Sequence, residues 1–377
     1  MPGMEIYPLK SAPVFKPRIW GGQKLREVFG KDLPPNEKIG ESWEIADLPE
    51  GKSIIANGAF RGLTLGEVVR RHAEEIVGTK DWRRGSVSRV SRPQFVGGTP
   101  STQPGQDALA THSEPFPLLV KFIDAQDVLS VQVHPDAETC RQMGKGNLKT
   151  ECWYIIRAEP GAVIYKGFKS PVTKERFAQA ICEGTAAELL AAVPVSPGEC
   201  HFIPAGVVHT LGAGLLIAEI QTPSDTTYRV FDWNRLDNSG KPRPLHIGEA
   251  LESIHFNVTP DRLPVATVGR LVDCEHFTVD KGHRSEGGEV LLSQGRMRTL
   301  VFLTGSGTIL SKMAGRARQE FCPGIPRRLI PVSRMRGRVF GVTCGADESY
   351  RCSANDSDLT KRPTPFWKPS QGPYDAS

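Results

Sequence analysis

A chain of 377 residues with 39% hydrophobic and 24% charged residues holds enough apolar material for sizeable cores, which excludes wholesale disorder. No apolar stretch approaches the roughly 20 residues of a bilayer-spanning helix, and no apolar run follows a basic start at the N-terminus, so neither a membrane span nor a signal peptide is expected. The net charge of +5 is divided between Trp82–Arg92 and Arg316–Arg338 rather than gathered on one element with interleaved aromatics; nucleic acid is not expected, and a small anionic substrate explains the excess at least as well.

In chain order, the first strong periodicity is Thr64–Val77, which places Leu65, Val68, Val69, His72 and Ile76 on one helical face. It opens with Thr64 and Glu67 at capping-box spacing. Residues 86–112 keep neither period and read as a flexible loop. Strands are predicted at Leu118–Ile123, Leu129–His134, Cys152–Ile156 and Ala162–Lys166. A helical pair follows at Thr173–Glu183 and Thr185–Val193, the second with a repeated capping signal in Thr185 and Glu188. Strands resume at Glu199–Ile203 and Leu215–Gln221. Val265–Val272, Thr299–Leu303, Gly307–Ser311, Arg327–Val332 and Arg338–Val342 suggest a second, smaller β unit.

The expected architecture is mainly β, of jelly-roll sandwich type. A first domain covers 1–257, with helical insertions at 64–77 and 173–193; a second covers 258–352, and a tail covers 353–377. The tail carries Pro363, Pro365, Trp367 and Pro369 and reads as an extended strap. Eight dispersed cysteines without a CxxC pair are expected to be buried free thiols in a reducing cytosol, which places the protein in the cytoplasm.

Three segments carry chemistry. In Leu129–Asp136 (LSVQVHPD), strand alternation puts Ser130, Gln132 and His134 on one face and Val131 and Val133 on the other. In Leu148–Ile156, Lys149, Glu151 and Trp153 share a face in the same way. The third, Pro197–Gly214, runs turn, strand, turn and then His209, with His201 as a competing imidazole at the strand entry. Gln132, His134, Glu151 and His209 together make a nitrogen and oxygen ligand set for one divalent metal, and zinc, iron and manganese all suit it.

These segments, with IWGG (Ile19–Gly22), GESWEI (Gly40–Ile45), PLLVKFIDAQDVLSVQVHPD (Pro117–Asp136), KTECWYI (Lys149–Ile155), IPAGVVHTLG (Ile203–Gly212) and EIQTPSDTTYRVFDWNR (Glu219–Arg235), closely resemble the type I mannose-6-phosphate isomerase family in its short bacterial form, which is built on cupin domains. The resemblance implies one zinc held by Gln132, His134, Glu151 and His209, and catalytic work for Arg229, with Lys149 and Glu219 in the same pocket. It implies phosphate contacts from Ser130 and Lys121, and it brings Trp43 and Glu44 near the pocket. The C-terminal unit resembles a second cupin without a metal site.

The chemistry agrees. Aldose–ketose isomerisation moves a proton between C1 and C2 through an enediol or enediolate, so the site must take a carbon-bound proton and stabilise an oxyanion. Arg229 is suited to the developing charge, Glu219 to accepting the proton and Lys149 to shuttling one. Asp232 and Trp233 are expected to orient Arg229 and pack behind it. A sugar phosphate is thus the expected partner, and a monomer or homodimer the expected state. A metal-binding cupin of other chemistry, or a non-catalytic sugar-phosphate sensor, is the competing reading.

Overall fold

In the computed structural model the described residues are 6–77, 115–236, 240–264, 269–284, 297–305, 307–310, 318–321 and 337–344. The predicted loop at 86–112, the strand at Arg327–Val332 and the tail therefore lie outside them. The described residues fall within one unit, Met1–Gly345.

Eleven strands build a sandwich of two antiparallel sheets. They are Val14–Gly22 (β1), Ile39–Ile45 (β2), Leu119–Ala125 (β3), Val131–Val133 (β4), Glu151–Ala158 (β5), Val163–Phe168 (β6), Leu190–Pro194 (β7), Cys200–Ile203 (β8), His209–Leu211 (β9), Leu215–Gln221 (β10) and Tyr228–Phe231 (β11). One sheet has the order β8-β5-β10-β3-β2-β1 and the other β7-β6-β9-β4-β11. Further on, Gly269–Asp273 (β12), Phe277–Arg284 (β13), Arg298–Phe302 (β14) and Gly337–Cys344 (β15) form a four-stranded sheet in the order β12-β13-β15-β14. The fold is mainly β and of cupin type.

Alternation along each strand decides what each layer holds. On the outer face of the six-stranded sheet, Cys152, Tyr154, Leu216, Ala218 and Ile220 pack with Leu65, Val68 and Val69, and with Leu271, Phe277, Val279 and Val301 of the four-stranded sheet. On the outer face of the five-stranded sheet, Val131, Val133, Val208 and Val230 pack against Phe177, Ile181, Ala250 and Ile254 from helices Lys174–Cys182 and Ile247–Ser253. Between the sheets, Trp20, Ile123, Leu129, Ile155, Ile164, Leu211, Leu215 and Ile217 make an apolar plug. Beside it the interior holds buried polar side chains, among them Lys121, His134, Glu151, His209 and Glu219.

The predicted capping box forms: the Glu67 amide donates to Thr64 Oγ1 (3.2 Å), and the Thr64 amide to Glu67 Oε2 (2.8 Å). The helix is broken at His72 into Leu65–Arg71 and Ala73–Val77. The helix predicted at Thr173–Glu183 forms as Lys174–Cys182, capped by the Thr173 side chain. Thr185–Val193 is not a helix. One 3₁₀ turn, Ala186–Leu189, has no side-chain cap from Thr185, and Leu190–Pro194 is a strand paired with β6. Ladder partners unavailable to local propensity win over the capping signal there. Helices Lys24–Phe29, Ala137–Met143 and Ile247–Ser253, and the strand Phe277–Arg284, were not predicted.

Among the described residues no helix is long and apolar enough to cross a membrane. Cys140, Cys152, Cys182, Cys200 and Cys274 are free thiols; Cys152 and Cys200 are buried, whereas Cys182 is exposed and does not follow the expected burial.

Candidate metal centre and polar cavity

Two rungs of side chains, one from each sheet, make the site. Across the six-stranded sheet, register sets Lys121, Glu219 and Trp153 side by side, with Trp43 flanking Lys121 and His201 flanking Trp153. Across the five-stranded sheet it sets Arg229, Gln132, His209 and Lys166 in a row. Directly opposed residues of antiparallel strands point to the same face, so the second rung is a continuous polar row and the first sets Lys121 and Glu219 between Trp43 and Trp153. Glu151, two residues before Trp153, lies opposite Gln221.

The rungs meet at His134, Glu151 and His209, whose ligating atoms all lie within 4.8 Å of one another. His134 Nε2 is 3.5 Å from Glu151 Oε2 and His209 Nε2 is 3.5 Å from Glu151 Oε1. Each imidazole turns Nδ1 to a backbone carbonyl, His134 to Thr226 (2.9 Å) and His209 to Val207 (2.8 Å). A carbonyl can only accept, so Nδ1 carries the hydrogen and Nε2 presents its lone pair inward. Both Nε2 atoms and both Glu151 oxygens are buried without a hydrogen-bond partner among the described residues. Four bare acceptors aimed at one point in a buried place are costly unless a cation joins them. The group fits a divalent metal. Gln132, half-buried beside His209, offers a further oxygen. His201 is fully buried but turns Nε2 to Glu199 (3.3 Å), away from this group.

The charges are tuned to match. Burial works to raise the Glu151 carboxyl, but Lys149, 3.0 Å away, and the two imidazoles override it and hold it well below the usual carboxylate range. Burial, reinforced by Lys149, pushes His134 down to about 3, and burial also lowers His209, so both rings are neutral.

Above this group opens a cavity of about 780 Å³, lined by Lys121, Ser130, Gln132, Lys149, Glu219 and Arg229 among others. Lys121, Ser130, Lys149, Glu219 and Arg229, the residues expected to contact substrate, are thus on its wall, with the Lys149 ammonium 3.0 Å from Glu151 of the candidate metal group. Glu219 accepts a hydrogen bond from Trp153 Nε1 at Oε2 (3.0 Å), while Oε1 lies 3.1 Å from Lys121 Nζ in an ion pair not aligned as a hydrogen bond. Burial and the neighbouring Glu151 raise the Glu219 carboxyl, with Lys121 opposing. Lys121 is pulled down by burial but raised further by Glu219 and Glu41, which keeps it charged. Arg229 is lowered from its ordinary value by burial and by Arg243.

Some surroundings differ from expectation. Asp232 accepts from Arg235 (2.6 Å) and from Arg243 Nε (2.6 Å), and its charge also acts on Arg229. Trp233 donates to the Leu129 carbonyl (2.7 Å). Trp43 is core, and Glu44 faces Lys31 (2.8 Å) rather than the cavity. Its neighbour Glu41 lines the cavity instead, held by Arg18 (2.8 Å) and Trp43 Nε1 (2.6 Å). Sequence reasoning singled out none of Arg18, Glu41, Arg243, Gln221 or the bond between Trp153 and Glu219. Alternation alone put Trp153 on the face of Glu151, but its partner comes from a strand some 60 positions away.

Fold and site together define a cupin-type protein with a nitrogen- and oxygen-lined candidate metal site beside a charged cavity. Residues 94–155 match the family described as phosphomannose isomerase type I, catalytic domain. The chain is 37% identical over 300 residues to the mannose-6-phosphate isomerase of Streptococcus mutans, covering 78% of this chain and 83% of that protein. It is 35% identical over 316 residues to a mannose-6-phosphate isomerase of Bacillus subtilis, covering 82% and 89%. The crystal structure of the mannose 6-phosphate isomerase from Bacillus subtilis aligns with a TM-score of 0.69 at 28% identity, covering 89% of this chain and 99% of that one. The chain belongs to the type I mannose-6-phosphate isomerase family.

Proposed function

We propose that this protein interconverts mannose 6-phosphate and fructose 6-phosphate as a zinc-dependent aldose–ketose isomerase, working in a reducing, cytoplasmic setting. The observation that supports this most is the convergence of bare His134 Nε2, His209 Nε2 and the Glu151 carboxylate beneath a cavity walled by Lys149, Glu219 and Arg229.

Gln132, His134, Glu151 and His209 are the residues that would hold zinc, which when bound supplies Lewis-acid polarisation of the sugar carbonyl and its neighbouring hydroxyl. The chain's own side chains do the rest. Glu219 takes the proton from C2 of the aldose and returns it to C1, through an enediolate. Lys149 moves a hydroxyl proton between the two adjacent oxygens. Arg229 holds the negative charge that develops on them. Ser130 and Lys121 contact the phosphate. No atom is gained or lost, and the buried setting keeps water from the enediolate.

The test is a coupled assay of mannose 6-phosphate turnover with zinc-loaded and chelator-stripped protein, beside Arg229→Ala. Activity that disappears on stripping, returns with zinc and falls roughly 10²- to 10³-fold in the variant is expected, on the scale of a lost transition-state donor. Well-folded, zinc-loaded protein without turnover would overturn the proposal.

A further inference from the structure

We propose that Trp153 is a positioning residue that aims the Glu219 carboxylate, a role that rests on the isomerase reading above. Its indole N–H donates to Glu219 Oε2 at 3.0 Å. The other oxygen, Oε1, is buried with no aligned hydrogen bond among the described residues. One oxygen is therefore fixed by a directional, charge-assisted bond, and the other is left for the reacting proton. Lys121, 3.1 Å from Oε1, supplies charge without taking that direction.

The same indole reaches the metal centre. Its ring lies edge-on to His209, with centroids 5.3 Å apart. Trp153 is 1% exposed, paired directly with Glu219 across the sheet and two residues after Glu151 on its own strand. One rigid side chain thus sets the spacing between the proton-accepting carboxylate and the imidazole beneath it. Phenylalanine would fill most of the same volume and keep the edge contact while losing the donor. A carboxylate freed from Trp153 can rotate toward Lys121 and lose its aim on C2, and small misplacements of a base are costly in rate.

Trp153→Phe separates this role from mere packing. Zinc content should stay at the wild-type level and KM within about threefold, while kcat falls roughly ten- to a hundredfold, the scale of one hydrogen bond to a charged group. The primary isotope effect with C2-deuterated mannose 6-phosphate should rise, because proton transfer becomes slower relative to binding and release. In a Glu219→Gln background the same substitution should cost little further. If Trp153→Phe proves unstable, replacement of Trp153 by benzothienylalanine keeps the shape and removes only the N–H. An unchanged kcat and isotope effect in a folded, zinc-loaded variant would overturn the role, as would full additivity with Glu219→Gln. Wild-type protein that does not turn the substrate over would instead defeat the isomerase reading, so the two failures are distinguishable.

Discussion

The sandwich and the C-terminal four-stranded sheet are made of the same kind of alternating strand, yet their buried positions hold opposite chemistry. Among the described side chains of the C-terminal sheet, Leu271, Val272, Phe277, Val279 and Val301 are buried and join the outer core of the sandwich, with Thr299 as the buried polar exception. Between the sandwich sheets, the buried positions include Lys121, His134, Lys149, Glu151, His209, Glu219 and Gln221. Apolar burial of the first kind stabilises by about 25 cal/mol per Å², whereas burial of charged groups is unfavourable unless partners compensate. The sandwich keeps these seven polar groups, four of them charged, where a Val or Leu would pack more cheaply. One region contributes stability, and the other spends it on a site.

That contrast makes sharply different demands on substitutions. Glu151→Gln should have the largest effect, removing the charge that balances Lys149 and any bound cation. Zinc stoichiometry by elemental analysis should fall below one in ten sites and turnover by more than about 10³-fold. A variant with full zinc and near-normal turnover would mean that Glu151 is a structural anion. Phe277→Ala, at a fully buried position of the C-terminal sheet, should do the reverse. Denaturant unfolding should show a loss of about 3–5 kcal/mol, with turnover per folded molecule unchanged. Loss of zinc in that variant would break the division of labour drawn here.

Glu41 tests the border between the two kinds of burial. Burial tends to raise its carboxyl, but Lys121, Arg18 and Trp43 lower it from 4.5 to about 2. A depressed folded pKa contributes stability above the unfolded value, and that stability is lost as pH falls from about 4.5 toward 2. Acid unfolding followed by circular dichroism should therefore be steep in that window and shallower in Glu41→Gln; identical profiles would remove Glu41 from the balance. The smallest effect belongs to the capping box at the helix entry. Thr64→Ala should cost about 1 kcal/mol in thermal or denaturant unfolding and leave turnover untouched, because it removes only the local hydroxyl bonds to the Glu67 amide and carboxylate.

Much of this was legible in the chain. The run Ser130, Gln132, His134 lies on one face because a strand alternates with period two, and Val131 and Val133 pack outward as that pattern requires. Lys149, Glu151 and Trp153 follow the same rule. Thr64 and Thr173 cap helices because their side chains bond amides three residues on, which is local information. At Thr185 the same signal is present and fails, since Leu190–Pro194 finds a ladder partner in Val163–Phe168.

The sequence by itself therefore determined the strand faces, the local caps, and the residue types from which a metal centre is assembled. Only the tertiary structure shows where each imidazole points. His201 and His209 are both buried, but the register that puts His209 beside Gln132 aims it at Glu151, and the pairing of His201 with Trp153 leaves it against Glu199. The bond from Trp153 to Glu219, and the capture of Asp232 by Arg235 and Arg243, were settled in the same way. The physical reason is common to all three: local periodicity fixes the side of a strand on which a residue stands, whereas its partner is fixed by pairing and close approach between segments far apart in the chain.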